Sequence, residues 1–244
     1  SIHYLDAWEI VEKGASLCRL SIRQSEISRK SANVAVRILG TEFPEEIVTV
    51  TAHYDSVPEG PGAYDNMSGG AIVMEAFHYF AEHRPARTME FIWFGSEEKG
   101  LVGSRNYVKS HEAEMRNHVF NLNVDLAGQL LGGNVLGVTA DPSVCTELKA
   151  LMEENRLGVT IKNQVWASDS NTFAWKGVPA LTLNRDGFGM HTRHDTVEYI
   201  SPRGLEEGAK TLCTAAAWAA NEPHFSFLRE IPEEMQRELE KYFA

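Results

Sequence analysis

Apolar and polar positions run along this chain in two rhythms. Residues 47–52 (IVTVTA) are a β-branched run without a breaker. Residues 89–94 (MEFIWF), 119–124, 134–139, 159–165 and 180–183 read as further short strands. Residues 68–80 instead put Ile72, Val73, Ala76, Phe77 and Phe80 on one helical face, closed by Pro85. Helices are also predicted over 104–110, 142–155 and the Ala-rich stretch 202–220. Strands alternating with helices predict an α/β fold, a mostly parallel sheet covered by helices on both faces.

The two ends read as peripheral. Residues 1–30 suggest a helix (7–13), a strand (20–23) and a polar exit, an amino-terminal extension expected to pack on a main domain of residues 31–222. Residues 223–244 form a carboxy-terminal helical tail. Phe225 and Phe227 open it, Pro232 suits a first helical turn, and Met235, Leu239 and Tyr242 recur at helical spacing.

Composition narrows the partners. The 244 residues fit one domain with short extensions, and no apolar run approaches the roughly 20 residues of a membrane helix. A net charge of −11 argues against nucleic acid or an anionic membrane surface. It suits a cationic substrate such as a free amino terminus, and solubility accounts for it equally well. Cys18, Cys145 and Cys213 are scattered and odd in number, so neither a disulfide framework nor a zinc knuckle is implied. The first residues are neither basic nor followed by an apolar stretch. No signal peptide is visible and the chain leans cytoplasmic, although a start on Ser1 leaves the compartment open. Nothing in the sequence encodes an oligomeric state.

Ligands of open parallel sheets bind beyond the carboxyl ends of the strands. His53, Tyr54, Asp55 and Ser56 follow the first predicted core strand, and Glu97 and Glu98 follow 89–94. Asp125 follows 119–124, the loop after 180–183 carries His191, His194 and Asp195, and Asp65 stands just before a helix. Singly, each is an ordinary loop, cap or surface residue. Together they are an imidazole and carboxylate set without sulfur, suited to Zn²⁺ in a hydrolytic site.

Six segments in fixed order resemble one known family. They are HYDS (53–56), GAYDNMSGGA (62–71), FGSEEKGLVGSRNYV (94–108), NLNVDLAG (121–128), SDSNTF (168–173) and HTRHDT (191–196). They look like the co-catalytic zinc aminopeptidases, the metallopeptidase family (clan MH) that also holds bacterial leucyl aminopeptidases, glutamate carboxypeptidases and glutaminyl cyclases. The resemblance implies a three-layer α/β/α sandwich, a catalytic domain over 31–222, and two Zn²⁺ per chain, with cobalt or manganese as possible substitutes. Asp65 would bridge the ions, His53 and Asp125 would complete one site, and Glu98 and His191 the other. Glu97 would be the general acid/base, and Asp55 would accept the second ring N–H of His53. Asp169 would act behind the site or on substrate, and His194 at the rim.

Met190 departs from the pattern, because many relatives carry a Tyr there that can bond the developing oxyanion. Ser170 departs too, where a His is frequent. The implied activity is that of an exopeptidase on peptides with a free amino terminus. The alternatives are a carboxypeptidase on acidic peptides, with Arg185 as the carboxylate clamp, then a glutaminyl cyclase, then a non-catalytic receptor-like module. An upstream protease-associated domain, as some relatives carry, cannot be read from this chain.

Overall fold

A parallel strand covered on both faces must be apolar on both, and the chain supplies such strands at its centre. The computed structural model describes residues 2–225, 227 and 229–244. Its sheet has seven strands: β1 (Val34–Ile38), β2 (Phe43–His53), β3 (Arg87–Phe94), β4 (His118–Val124), β5 (Asn134–Thr139), β6 (Val159–Asn163) and β7 (Ala180–Arg185). Their order is β1-β3-β2-β4-β7-β5-β6. The central four, β3, β2, β4 and β7, are mutually parallel, β1 and β5 run antiparallel to their central neighbours, and β6 runs parallel to β5. All eight residues of β3 are buried, as a doubly covered strand requires. The sheet is mixed and the fold is α/β.

One helical layer comprises α2 (Ser68–Glu82), α4 (Pro142–Glu154) and α6 (Pro202–Asn221); the other comprises α3 (Val102–Ser110), α5 (Ser170–Trp175) and α7 (Glu233–Phe243). Local chemistry starts them where they start. Asp141 accepts from Ser143 N at 2.9 Å before Pro142, and Ser201 accepts from Gly204 N at 3.4 Å before Pro202. On α6, a Cβ at Gly208 would stand 2.7 Å from the Ile72 side chain, so the missing side chain lets α6 lie close on α2. No helix among the described residues is long and apolar enough to cross a membrane.

Several sequence expectations need correction. No strand forms over 20–23: Leu20 and Ile22 are 80% and 68% exposed, and a lone extended run has neither ladder partner nor buried face. The amino-terminal helix, α1, covers Tyr4–Glu12 rather than 7–13, capped by the His3 side chain on Leu5 N. Edge strand β1 and the six-residue α5 escaped the sequence reading, because each is too short for its periodicity to register. Residues 1–30 and 31–244 form two separate compact units. The tail belongs to the second and is less peripheral than it reads. Phe227 joins the main core beside Phe120 and Trp218, and Leu239 is buried with Ala174 and Ala180.

One buried group makes the fold sensitive to acid. His118 opens β4 fully buried near the Tyr107 and Phe173 rings, and neither ring nitrogen has a partner among the described residues. Burial lowers its pKa from 6.5 to about 4; Glu114 opposes that shift, and Arg37, Arg229 and His111 add to it. The unfolded chain therefore binds the extra proton between these values, so stability is full above pH 6.5 and is lost as pH falls toward 4. Urea unfolding of wild type and His118→Phe across pH 4–7 should show the wild type losing about 3 kcal/mol more than the variant over that range.

Candidate metal centre

The carboxyl ends of β2, β3, β4 and β7 meet along one edge of the sheet, and each delivers polar side chains there. His53 is the last residue of β2 and is buried. Its Nε2 lies 3.2 Å from Asp65 Oδ1 and 3.4 Å from Asp125 Oδ1. Its Nδ1 is 3.0 Å from the backbone oxygen of Asp55 and 3.7 Å from that residue's carboxylate. The ring is thus oriented by the Asp55 main chain. The Asp55 carboxylate does something else: its two oxygens accept the N–H groups of Glu97 at 2.9 Å and Glu98 at 3.3 Å. The residue after β2 thereby holds the turn after β3.

Asp65 lies in the tight turn over Ala63–Met67, with non-helical dihedrals at Asp65 and Asn66 and a cis peptide between them. Asn66 Nδ2 donates to Val124 O at 2.9 Å, and its Oδ1 accepts from Leu126 N at 3.3 Å, which moors this turn to the end of β4. Asp125 Oδ2 accepts from Ser168 Oγ at 2.6 Å, and the Asp125 carbonyl accepts from Asn184 Nδ2 at 2.9 Å. His191, exposed on the loop after β7, brings Nε2 within 3.0 Å of both Asp65 Oδ2 and Glu98 Oε1.

Backbone strain gathers at the same edge. Among the described residues five non-glycines have left-handed φ, of which Ser96 (62°) precedes Glu97, Leu126 (67°) follows Asp125, and His191 (60°) is itself a candidate ligand. Such conformations cost on the order of 1–3 kcal/mol each and persist where the surroundings over-determine them.

Six carboxylates (Asp55, Asp65, Glu97, Glu98, Asp125, Asp169) here face two imidazoles, His53 and His191. Burial pushes Glu97 up to about 9; His53 pulls it back, and Asp169, Asp125 and Glu98 add to the rise. Fully buried Asp169 is pushed up to about 7, chiefly by desolvation, with His53 and the Ser104 hydroxyl opposing. Burial would lower the His53 pKa, yet Asp125, Asp65 and Glu97 raise it well above its ordinary value, and the same pairing holds Asp125 low against its own desolvation. Burial and Asp65 raise Glu98.

This excess of buried negative charge fits divalent cations. Two donor groups have ligand atoms within 4.8 Å of one another: His53, Glu97 and Asp125, and Asp65, Glu98 and His191. Oxygen and imidazole without sulfur suit zinc and also admit cobalt or manganese. The grouping sets Glu97 beside His53 and Asp125, while Asp65 Oδ1 lies equally near His53, so the two sets share an edge.

The remaining sequence candidates fall around this centre. Met190 is 45% exposed beside His191, and His194 is an exposed rim residue. Arg185 is a buried strand end rather than a loop residue. It closes β7, with Nη1 donating to Asn134 Oδ1 (3.0 Å) and Glu207 Oε2 (3.1 Å), while Nε has no partner among the described residues. The sequence assigns no role to Ser168, Asn66 and Asn184 and reads Asp195 only as one of the carboxylates at the strand exits, because each acts through contacts distant in sequence. A groove of about 960 Å³ beside α2 and α6, lined by Ile72, Tyr79, Leu205 and Trp218, contains none of the candidate ligands.

Known proteins share this architecture. The chain is 27% identical to a zinc aminopeptidase from Bacillus subtilis, whose structure superposes with a TM-score of 0.70 over 83% of this chain and 53% of that one. A peptidase M28 precursor from Shewanella amazonensis superposes at 0.72 with 30% identity, over 82% and 46%. A glutaminyl cyclase from an Acidobacteriales bacterium shares the fold at 0.65 and 20% identity, over 77% and 73%. Among curated proteins the chain is 29% identical over 201 residues to the vacuolar membrane protease of Saccharomyces cerevisiae, covering 79% of this chain and 20% of that protein. It is 29% identical over 198 residues to carboxypeptidase Q of Rattus norvegicus, covering 78% and 40%. The chain thus spans well under half the length of these curated relatives. The sequence profile described as Peptidase family M28 matches residues 33–216, from the head of β1 into α6, and so takes in both donor groups: the chain belongs to the M28 metallopeptidases.

Proposed function

We propose that this chain is a two-ion aminopeptidase. The observation that carries the reading is the position of Asp65, whose Oδ1 is 3.2 Å from His53 and whose Oδ2 is 3.0 Å from His191. One carboxylate thereby serves two donor sets. His53, Asp65 and Asp125 would hold one ion; Asp65, Glu98 and His191 would hold the other. Bound there, divalent cations would lower the pKa of a water molecule, polarise the scissile carbonyl and return Glu97 to its ionised form.

Glu97 would take a proton from the attacking water and pass it to the leaving amine. Its backbone N–H is fixed by Asp55, which orients the carboxylate. The surplus of carboxylates attracts the ammonium of a free amino terminus and repels a carboxy terminus. Similarity to carboxypeptidase Q raises the reverse polarity, but Arg185, the cation that could have clamped a carboxylate, is committed to Asn134 and Glu207. The non-catalytic alternative would call for lost ligands, and the sequence retains all of them.

Purified protein with added zinc should hydrolyse aminoacyl-anilides and leave N-acetylated peptides intact. Chelation should abolish the activity and zinc restore it, whereas turnover of acetylated peptides would overturn the aminopeptidase reading. Glu97→Gln should lose at least about 10²–10⁴-fold in kcat while still holding two equivalents of zinc; full activity would exclude this role. Because Glu97 titrates at about 9 among the protein's own groups, it is protonated at pH 7.5 and must release that proton when cations bind. Calorimetric zinc titrations in buffers of different ionisation enthalpy should therefore show Glu97→Gln releasing about one proton fewer than wild type.

A further inference from the structure

The loop that carries His191 is exposed from Asp186 to His194, apart from half-buried Gly189, yet its imidazole must meet two buried carboxylates. Something has to moor it. Four residues beyond His191, Asp195 turns inward and is 2% exposed. Its Oδ1 accepts from Tyr64 N at 2.5 Å, its Oδ2 from Asp65 N at 3.0 Å, and its carbonyl from Ala63 N at 3.4 Å. Three consecutive backbone N–H groups of the turn carrying the shared carboxylate thus point at one residue of the other loop. The contact is close elsewhere too: a Cβ on Gly60 would stand 2.3 Å from the Thr192 carbonyl oxygen.

A turn or cap aspartate normally accepts from N–H groups near in sequence. Asp195 instead reaches across 131 positions to Tyr64 and 130 to Asp65. It repeats, for the last ligand loop, what Asp55 does for the Glu97–Glu98 turn.

We infer that Asp195 is a positioning residue that sets the distance between His191 and Asp65, and so the affinity of the cation site formed by Asp65, Glu98 and His191. This rests on the two-ion reading. The donor set of His53 and Asp125 meets Asp195 only through the shared Asp65, and its other two groups lie on strand ends moored by Asn66, Ser168 and Asn184, so it depends on Asp195 less. Asparagine at 195 keeps one acceptor but turns an NH₂ toward a backbone N–H, so one of the two carboxylate hydrogen bonds is lost.

Two measurements test the inference on the intact chain. In zinc titrations, wild type should bind two equivalents, and Asp195→Asn should bind the second about 10–100-fold more weakly while the first weakens by a smaller factor. Gly60→Ala, which wedges the same contact, should weaken the same equivalent. Two unchanged affinities in both variants would overturn the inference and leave the two-ion reading intact. Wild type binding only one equivalent would overturn both. Hydrogen exchange without added metal gives an independent readout: one of the Tyr64 and Asp65 amides should lose protection in Asp195→Asn while those of β2 and β4 keep theirs. Unchanged protection at 64 and 65 would overturn the inference whatever the zinc stoichiometry.

Discussion

Carboxylates repel one another, and the repulsion grows as water is withdrawn. This protein brings Asp55, Asp65, Glu97, Glu98, Asp125 and Asp169 together at one edge of a sheet, several of them with little access to solvent. Much of the local architecture follows from that constraint. Burial raises the pKa values of Glu97 and Asp169 and the neighbouring carboxylates add to the rise, while His53, drawn well above its ordinary value, is the partial answer available from the chain itself. A divalent cation is the more complete answer, since positive charge at the centre turns mutual repulsion into common attraction.

Charges that repel will not stay where side-chain rotamers alone put them, so the backbone holds them. Asp55 grips the amides of Glu97 and Glu98, Asn66 links its own turn to the end of β4, and Asp195 grips the amides of Tyr64 and Asp65. Each tie joins the exit of one strand to the exit of another. Left-handed residues Ser96, Leu126 and His191 sit at the same exits, their conformational cost offset by these ties and by the packed parallel strands beneath. Those strands are the stiffest part of the fold, buried on both faces, and their ends make a stable base for a site that must hold geometry to within a few tenths of an ångström.

The electrostatic pattern also bears on polarity. Arg185, the buried arginine that closes β7, is engaged by Asn134 and Glu207 through Nη1 and is not a free loop cation. On the proposed aminopeptidase reading, a preference for a cationic end would belong to the whole cluster and to no single residue. Met190, standing exposed beside His191, brings no hydroxyl to the site, so on the proposed hydrolytic reading stabilisation of a developing oxyanion would fall to other groups of the centre.

The sequence by itself determined the layer architecture and the ligand candidates. Strands such as 89–94 are apolar but for Glu90, helices such as 68–80 carry one apolar face, and the acidic and imidazole residues follow strand ends; these are local patterns, written in consecutive residues. It misjudged 20–23, where alternation had no partner to act on, and passed over β1 and α5, too short to show a period. Only the tertiary structure decided which groups touch. Asp55 reads as a partner of the His53 ring, two residues away, yet its carboxylate is spent on amides more than forty positions downstream. Arg185 reads as a free loop cation and is a buried strand terminus. Asp195 reads as one more acidic residue in a loop and closes the ring of ties. Hydrogen bonds across strand exits depend on distances that sheet order creates, with β2 between β3 and β4 and β7 beyond, and no local rhythm in the chain encodes that order.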